Sequence, residues 1–143
     1  MVKLQIVTVG QPKLSYARAG WEEYWQRLKH YHQLRAAHIP DKQADSARLA
    51  KALGNDYVVV LEISGHELSS PELAQFLDKR SLEGRGVSFV IGGPEGLPPE
   101  IIGQADFQWS FGKLTYPHDL AMVMLLESLY RASTISAGQP YHK

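Results

Sequence analysis

The 143-residue chain contains no cysteine. That removes thiol nucleophiles, disulfides and cysteine-based zinc sites in one step. It also lacks a charge surplus, with fifteen Lys and Arg against fifteen Asp and Glu. A protein that coats nucleic acid regardless of sequence gains affinity from phosphate neutralisation and carries a basic excess. This chain is not built that way, although a local basic patch on a neutral protein stays open. No apolar run approaches the ~18–20 residues of a membrane span. The opening Met-Val-Lys-Leu-Gln-Ile-Val-Thr-Val alternates in polarity and has no small-residue cleavage site after it, so it makes a poor signal peptide. The expectation is a soluble cytoplasmic protein. The six histidines form no pair at metal-ligand spacing backed by acids, so no metal site is expected. No Gly-x-Gly-x-x-Gly follows the first strand, which argues against a Rossmann-like dinucleotide protein. Without internal repeats, low-complexity tracts or a linker, the sequence reads as one domain spanning 1–143.

What is present centres on Ile91–Leu97, reading I-G-G-P-E-G-L, directly after the apolar run 87–91. A buried strand that exits into Gly-Gly-Pro turns sharply at its carboxyl end, where open α/β sheets bind small ligands. Glycines there would let a ligand rest against bare backbone.

The flanking segments predict alternating strands and helices. Residues 2–9 form a strand ended by Gly10-Gln11-Pro12. Tyr16, Ala17, Gly20, Trp21, Tyr24, Trp25 and Leu28 recur at helical spacing, with Ser15 as the expected cap. Leu34–Ile39 is a second strand, and 42–54 a short helix. Tyr57–Ile63 is a β-branched run expected to be buried, parallel and turned by Ser64-Gly65-His66. Ser70 caps a helix whose apolar face holds Leu73, Phe76, Leu77 and Leu82. A strand at 87–91, a helix from Pro98 to about Gln104 and a strand alternating Phe107, Trp109 and Phe111 follow. The order predicts an α/β fold with a mostly parallel sheet flanked by helices.

The last helix, from about Asp119 to Ser136, has Pro117 at its start and is apolar all round from Leu120 to Leu126. Burial on several sides points to a second subunit against it. Glu127 and Arg131 stand four apart, either as a helix salt bridge or as an acid that holds a functional arginine. Two further stretches read both ways. Arg27, Lys29, His30, Tyr31, His32 and Arg35 are a solvated helix end or an RNA-facing patch. Tyr141 and His142, in the tail after Pro140, are groups that stack on and hydrogen-bond to a nucleobase.

Four segments together resemble one family: I-G-G-P-E-G at 91–96, L-T-Y-P-H at 114–118, E-S-L-Y-R-A at 127–132 and P-Y-H at 140–142. The opening K-L-Q-I-V-T-V-G at 3–10 agrees with it. The sequence resembles, essentially end to end, the ribosomal large-subunit methyltransferase H family of SPOUT methyltransferases. The resemblance implies methylation of N3 of a pseudouridine in 23S rRNA, with S-adenosylmethionine as donor and assembled ribosomes as the target. It implies a SPOUT-type fold with a C-terminal trefoil knot, and a homodimer. The cofactor would lie against positions matching Leu61, Gly93 and the loop Gly112, Lys113, Leu114, Thr115, Tyr116 and Pro117. Catalytic roles would fall to His118, to Arg131 stabilising a deprotonated base, and to Tyr141 and His142 holding it. Glu95 is either a further positioning or proton-accepting group or a cap for the next helix, and His118 either acts in the reaction or bonds backbone at the helix start. Two departures from the pattern stand out. No cation follows His118 before Arg131, and the segment 39–55 is short. A catalytically inactive knotted RNA- or nucleotide-binding module is the alternative.

Overall fold

The computed structural model describes residues 2–142. Its five strands are β1 (Lys3–Val9), β2 (Gln33–Ile39), β3 (Tyr57–Glu67), β4 (Val87–Ile91) and β5 (Phe107–Ser110). Five α-helices alternate with them: α1 (Ser15–Leu28), α2 (Ser46–Leu53), α3 (Ser70–Glu83), α4 (Pro99–Gln104) and α5 (His118–Ser136). The strands make one sheet in the order β2-β1-β4-β3-β5, and every pairing is parallel. β1 and β4 are buried almost throughout, as strands covered on both faces must be. On one face Leu4, Ile6, Val59 and Phe89 pack against Leu28 of α1, Leu77 of α3 and Met122, Leu125 and Leu129 of α5. On the other, Val7, Val58, Val60 and Val90 meet Leu49 and Leu53 of α2 and Ile101 of α4. All strands point the same way, so their carboxyl ends, and the loops leaving them, gather on one side of the molecule.

Several boundaries differ from expectation for local reasons. The helix expected over 42–54 is split into a 3-10 turn at Asp41–Gln43 and α2. Asp45 divides them, its Oδ1 accepting a hydrogen bond from the Arg48 amide at 2.8 Å. The cap of α3 is Ser69, one residue before the expected Ser70. Ser69 Oγ accepts from the Glu72 amide at 3.1 Å while Glu72 Oε1 accepts from the Ser69 amide at 2.8 Å, a reciprocal capping box. Leu82 is 89% exposed, and the buried side of α3 is Leu73, Ala74, Leu77 and Arg80. Pro117 stands at the N-cap position of α5, just outside the helix.

β3 does not turn at Ser64–His66. It runs on to Glu67, and its pairing with β5 slips between Leu61 and His66. Gly65 permits that slip, since a Cβ there would lie 2.6 Å from the carbonyl carbon and oxygen of Gln108. The strand thereby bends around the edge of the sheet where the loops gather.

Much of the basic and aromatic stretch at 27–35 is tied into this fold. Arg27 pairs with Glu23 at 2.7 Å and lies over the rings of Tyr24 and Tyr130. Arg35 Nε donates to Gln5 Oε1 at 2.7 Å, and Gln5 Nε2 donates in turn to Ser88 Oγ at 2.9 Å. His32 Nδ1 accepts from the Val2 amide at 3.3 Å, which leaves Nε2 as donor to Ser133 Oγ at 2.8 Å. Only Lys29, His30 and the outer edge of Arg35 face solvent freely.

Burial pushes the His32 pKa down from 6.5 to about 4, with the charged amino terminus adding to the lowering and Asp78 opposing it. In the unfolded chain the ring takes a proton near 6.5, and in the fold only near 4, so stability is lost as pH falls through that window. Urea unfolding measured between pH 7 and 4 should show this decline, and His32→Gln should flatten it.

Candidate active site

The middle of β3, the carboxyl ends of β4 and β5 and the loop into α5 enclose a cavity of about 480 Å³. A volume of this size suits a small organic ligand. Leu61, Glu62 and Ile63 form one wall, and the turn Ile91–Gly93 with Pro94, Gly96 and Leu97 a second. Trp109, Phe111, Gly112, Leu114, Thr115, Tyr116, His118 and Ala121 complete it. Of the residues singled out in the sequence, Leu61, Gly93, Gly112, Leu114, Thr115, Tyr116 and His118 meet here. Lys113 and Pro117 are exposed and off the wall. Glu95 is also exposed and off the wall. It does not cap α4, whose N-cap position is Pro98 with no side-chain hydrogen bond.

Close packing within the protein accounts for two glycines of the turn, Gly92 and Gly93. A Cβ on Gly92 would fall 2.8 Å from the Gly96 carbonyl carbon, and one on Gly93 3.0 Å from Val9 Cγ1 and 3.1 Å from Asp41 Oδ1. The turn folds on itself and against the end of β1, so protein, not ligand, occupies that space. The ligand argument holds at Gly96 and Gly112, both on the cavity wall, where φ is +80° and +121° and nothing lies within 4 Å of either would-be Cβ.

Three cavity residues were not anticipated. Trp109 and Phe111 supply aromatic surface from the end of β5, Phe111 standing edge-on to Trp109 at 5.0 Å and to Tyr116 at 6.5 Å. Their alternation predicts a strand, and only the sheet order shows that this strand ends at the cavity. Glu62 was hidden inside a β-branched run.

His118 is the first residue of α5 and is half-buried. Burial lowers its pKa, and Lys13 adds to this, while Asp119 and the Val9 carbonyl pull the other way. The ring is therefore neutral near pH 7. Its Nε2 is buried and makes no hydrogen bond of good geometry among the described residues. A buried polar atom left in this state at a cavity wall fits a ligand-facing role.

Asp119, next to it, is a structural tie. Its Oδ2 accepts from the amides of Leu14 at 2.7 Å and Lys13 at 2.9 Å, and these bonds hold its carboxyl below the usual range. This carboxylate, not Ser15, satisfies the start of α1, where Leu14 is the N-cap and makes no side-chain bond.

The other predicted residues gather elsewhere. Arg131 binds Glu127 Oε2 through Nη2 at 2.8 Å and Nε at 3.0 Å. Glu127 Oε2 also accepts from the Tyr141 hydroxyl at 3.0 Å, and the guanidinium lies 4.9 Å from the Tyr141 ring centre. His142 Nδ1 is 3.4 Å from Arg131 Nη1, and the Tyr24 and Tyr141 hydroxyls are 3.3 Å apart. Burial, with the hydrogen bonds of Tyr24 and Glu127, keeps Tyr141 protonated well above the ordinary phenol range. The salt bridge and the held arginine are thus the same arrangement. Yet Arg131 is thirteen residues along α5 from His118, about 20 Å at 1.5 Å per residue. In one chain the two clusters are separate.

The sequence model of the family described as Predicted SPOUT methyltransferase matches residues 2–142. The chain is 48% identical over 145 residues to a protein of Deinococcus radiodurans named Ribosomal RNA large subunit methyltransferase H, covering 99% of each. It is 40% identical over 155 residues to one of the same name from Pseudomonas fluorescens, covering 99% of this chain and all of the other. Among solved structures, a tRNA (m1G37) methyltransferase from Aquifex aeolicus superposes with a TM-score of 0.60 at 13% identity, over 100% of this chain and 75% of the other. That likeness speaks for the fold alone.

The Asp119 tie is testable in isolation. Asp119→Ala should cost about 1–2 kcal/mol in urea unfolding, the usual loss for a removed helix cap. Asp119→Asn, which keeps one accepting oxygen, should cost less.

Proposed function

The chain belongs to the SPOUT methyltransferase family, and within it we propose that the protein transfers a methyl group from S-adenosylmethionine to N3 of a pseudouridine in 23S rRNA of the large ribosomal subunit. The observation that carries this reading is the match, over nearly the whole length of both chains, to proteins named for large-subunit rRNA methylation. The donor's place is the cavity between the middle of β3 and the carboxyl ends of β4 and β5. Its apolar and aromatic wall, from Leu61, Leu97, Trp109 and Phe111, suits a purine, and the open backbone at Gly112 and the loop to Thr115 suits polar contacts. The unpaired Nε2 of His118 supports a ligand at that wall. The knotted threading of the C-terminal segment belongs to this proposal, as does a place of action in the cytoplasm, where the ribosomes are.

When bound, the cofactor supplies an electrophilic methyl carbon. The rest falls to the protein. N3 must lose its proton as its lone pair takes the methyl, and positioning supplies much of the rate. A neutral His118 imidazole at the cavity wall is suited to accept that proton or to orient the base. Arg131, held by Glu127, offers a fixed cation for the deprotonated ring, and Tyr141 and His142 offer an aromatic face and a hydrogen-bonding ring. Glu95, exposed in its turn, is given no part.

Because about 20 Å of helix separates His118 from Arg131, we assign the tail cluster to the cavity of a second subunit in a homodimer. Residual apolar surface near the cavity supports this. Leu114 is 71% exposed, and Leu14 and Tyr16 lie open at the start of α1. Leu120, Val123 and Met124 of α5 are only half-buried. The near-neutral charge supports a structured ribosomal target over free RNA. No observation favours the inactive binding module.

Tyr141→Ala should abolish methylation of the rRNA while leaving cofactor affinity nearly intact. Mass spectrometry of 23S rRNA from a deletion strain carrying the variant, paired with calorimetry, checks both halves. Equal loss of both would sink this division of labour, and a deletion strain whose rRNA is unchanged would favour the module.

A further inference from the structure

We propose that Glu62 makes the cavity prefer the cationic methyl donor over its neutral demethylated product, so that methyl transfer itself loosens the hold on the spent cofactor. The inference rests on the cofactor reading above and concerns what one wall residue does there.

The starting point is the charge inventory of the cavity. Glu62 is the one carboxylate among the lining residues, and no Lys or Arg is among them. His118, the imidazole among them, is held uncharged by burial. The lining therefore carries a single negative charge near pH 7. Two neighbouring charges do not face the cavity. Asp119 accepts from two backbone amides, and Lys113 is exposed off the wall.

Glu62 itself is half-buried in the middle of β3, beside Leu61, where the pairing with β5 slips. Among the described residues it makes no hydrogen bond and no ion pair, unlike Asp45, Asp56, Glu72, Asp106 and Glu127, which all accept hydrogen bonds within the fold. A partly buried carboxylate without a partner lowers stability. Nothing in the packing of the fold calls for it, and a cationic ligand is the partner that would.

The donor's chemistry supplies that cation. S-adenosylmethionine carries a sulfonium, an ammonium and a carboxylate, for a net charge of plus one. When the methyl leaves with the pseudouridine nitrogen, the sulfonium keeps the bonding pair and becomes a neutral thioether, and the N3 proton goes to the base. The ligand thus falls to zero net charge while the wall stays negative. The attraction that favoured the substrate is absent for the product, at a site where partial burial limits screening. Specificity of this kind arises from a charge difference and needs no change of shape.

The experiment is calorimetric binding to the purified full-length protein at fixed low ionic strength. The ligands are S-adenosylmethionine, S-adenosylhomocysteine and sinefungin, whose amine carries the positive charge without a transferable methyl. Glu62→Gln should weaken S-adenosylmethionine and sinefungin by at least about tenfold, the scale of a charge pair about 12 Å apart at an effective dielectric near 20 and less than that of a closer pair. It should leave S-adenosylhomocysteine within about twofold, and Glu62→Asp should retain most of the preference. Loss of all three ligands alike, with an unchanged melting temperature, would overturn the proposal and make Glu62 a contact to a part the ligands share, such as the ribose hydroxyls. No change for any ligand would overturn it too. If the unsubstituted protein bound none of the three, the cofactor reading itself would fail, a separate result from either.

Discussion

The carboxylate of Asp119 holds together the two ends of the chain that make the site. It sits in the first turn of α5 and accepts from the backbone at Lys13 and Leu14, more than a hundred residues earlier. Those amides are orphan donors at the start of α1, so the bond supplies a cap and a long-range clamp together. With Asp119 anchored, His118 is fixed beside the end of β1, and the loop 112–117 must close over the ends of β3 and β5. The cavity is what that closure encloses.

The parallel sheet does the remaining positioning. Its strands all end on one side, and the two helix layers leave that side open. The turn after β4 folds back over the end of β1, tightly enough that only glycine fits at 92 and 93. The bend of β3 around Gly65 carries its last residues along the short edge strand β5. A rigid wall of backbone and apolar side chains results, and into it the sequence sets only two polar groups of consequence, Glu62 and His118.

The sheet and its helices were legible because burial on both faces writes itself as β-branched runs. Val87–Ile91 and Tyr57–Val60 show it most plainly, and the strand at 87–91 keeps its expected limits. The cavity was legible where backbone makes its wall, at Leu61, Gly93, Gly112 and 114–116. What escaped depends on partners distant in sequence. Ser15 looked like a cap because nothing local indicates that Asp119 takes that place. Ser69 and Ser70 are both good caps by type, and only the reach of Glu72 decides between them. Gly65 looked like a turn because the backbone of Gln108 above it belongs to another strand. Trp109 and Phe111 showed only a strand, because that strand's place beside the cavity is a matter of topology. The patch at 27–35 stayed ambiguous until Gln5, Ser133 and Glu23 were seen to engage most of it.

The groups proposed to act in the reaction fall into two clusters, His118 at the cavity and, about 20 Å along α5, Arg131 with Tyr141 and His142 of the tail against it. They can act on one base only if two subunits each contribute one cluster. Mixed dimers test this directly. His118→Ala and Tyr141→Ala subunits, each inactive alone, are unfolded together, refolded at equal concentration and assayed for methyl transfer to large-subunit rRNA. If sites are shared, each heterodimer holds one intact site and one doubly defective site, and the mixture should regain roughly a quarter of the unsubstituted activity. A mixture as inactive as its parents, with heterodimers shown to have formed, would mean that each subunit works alone.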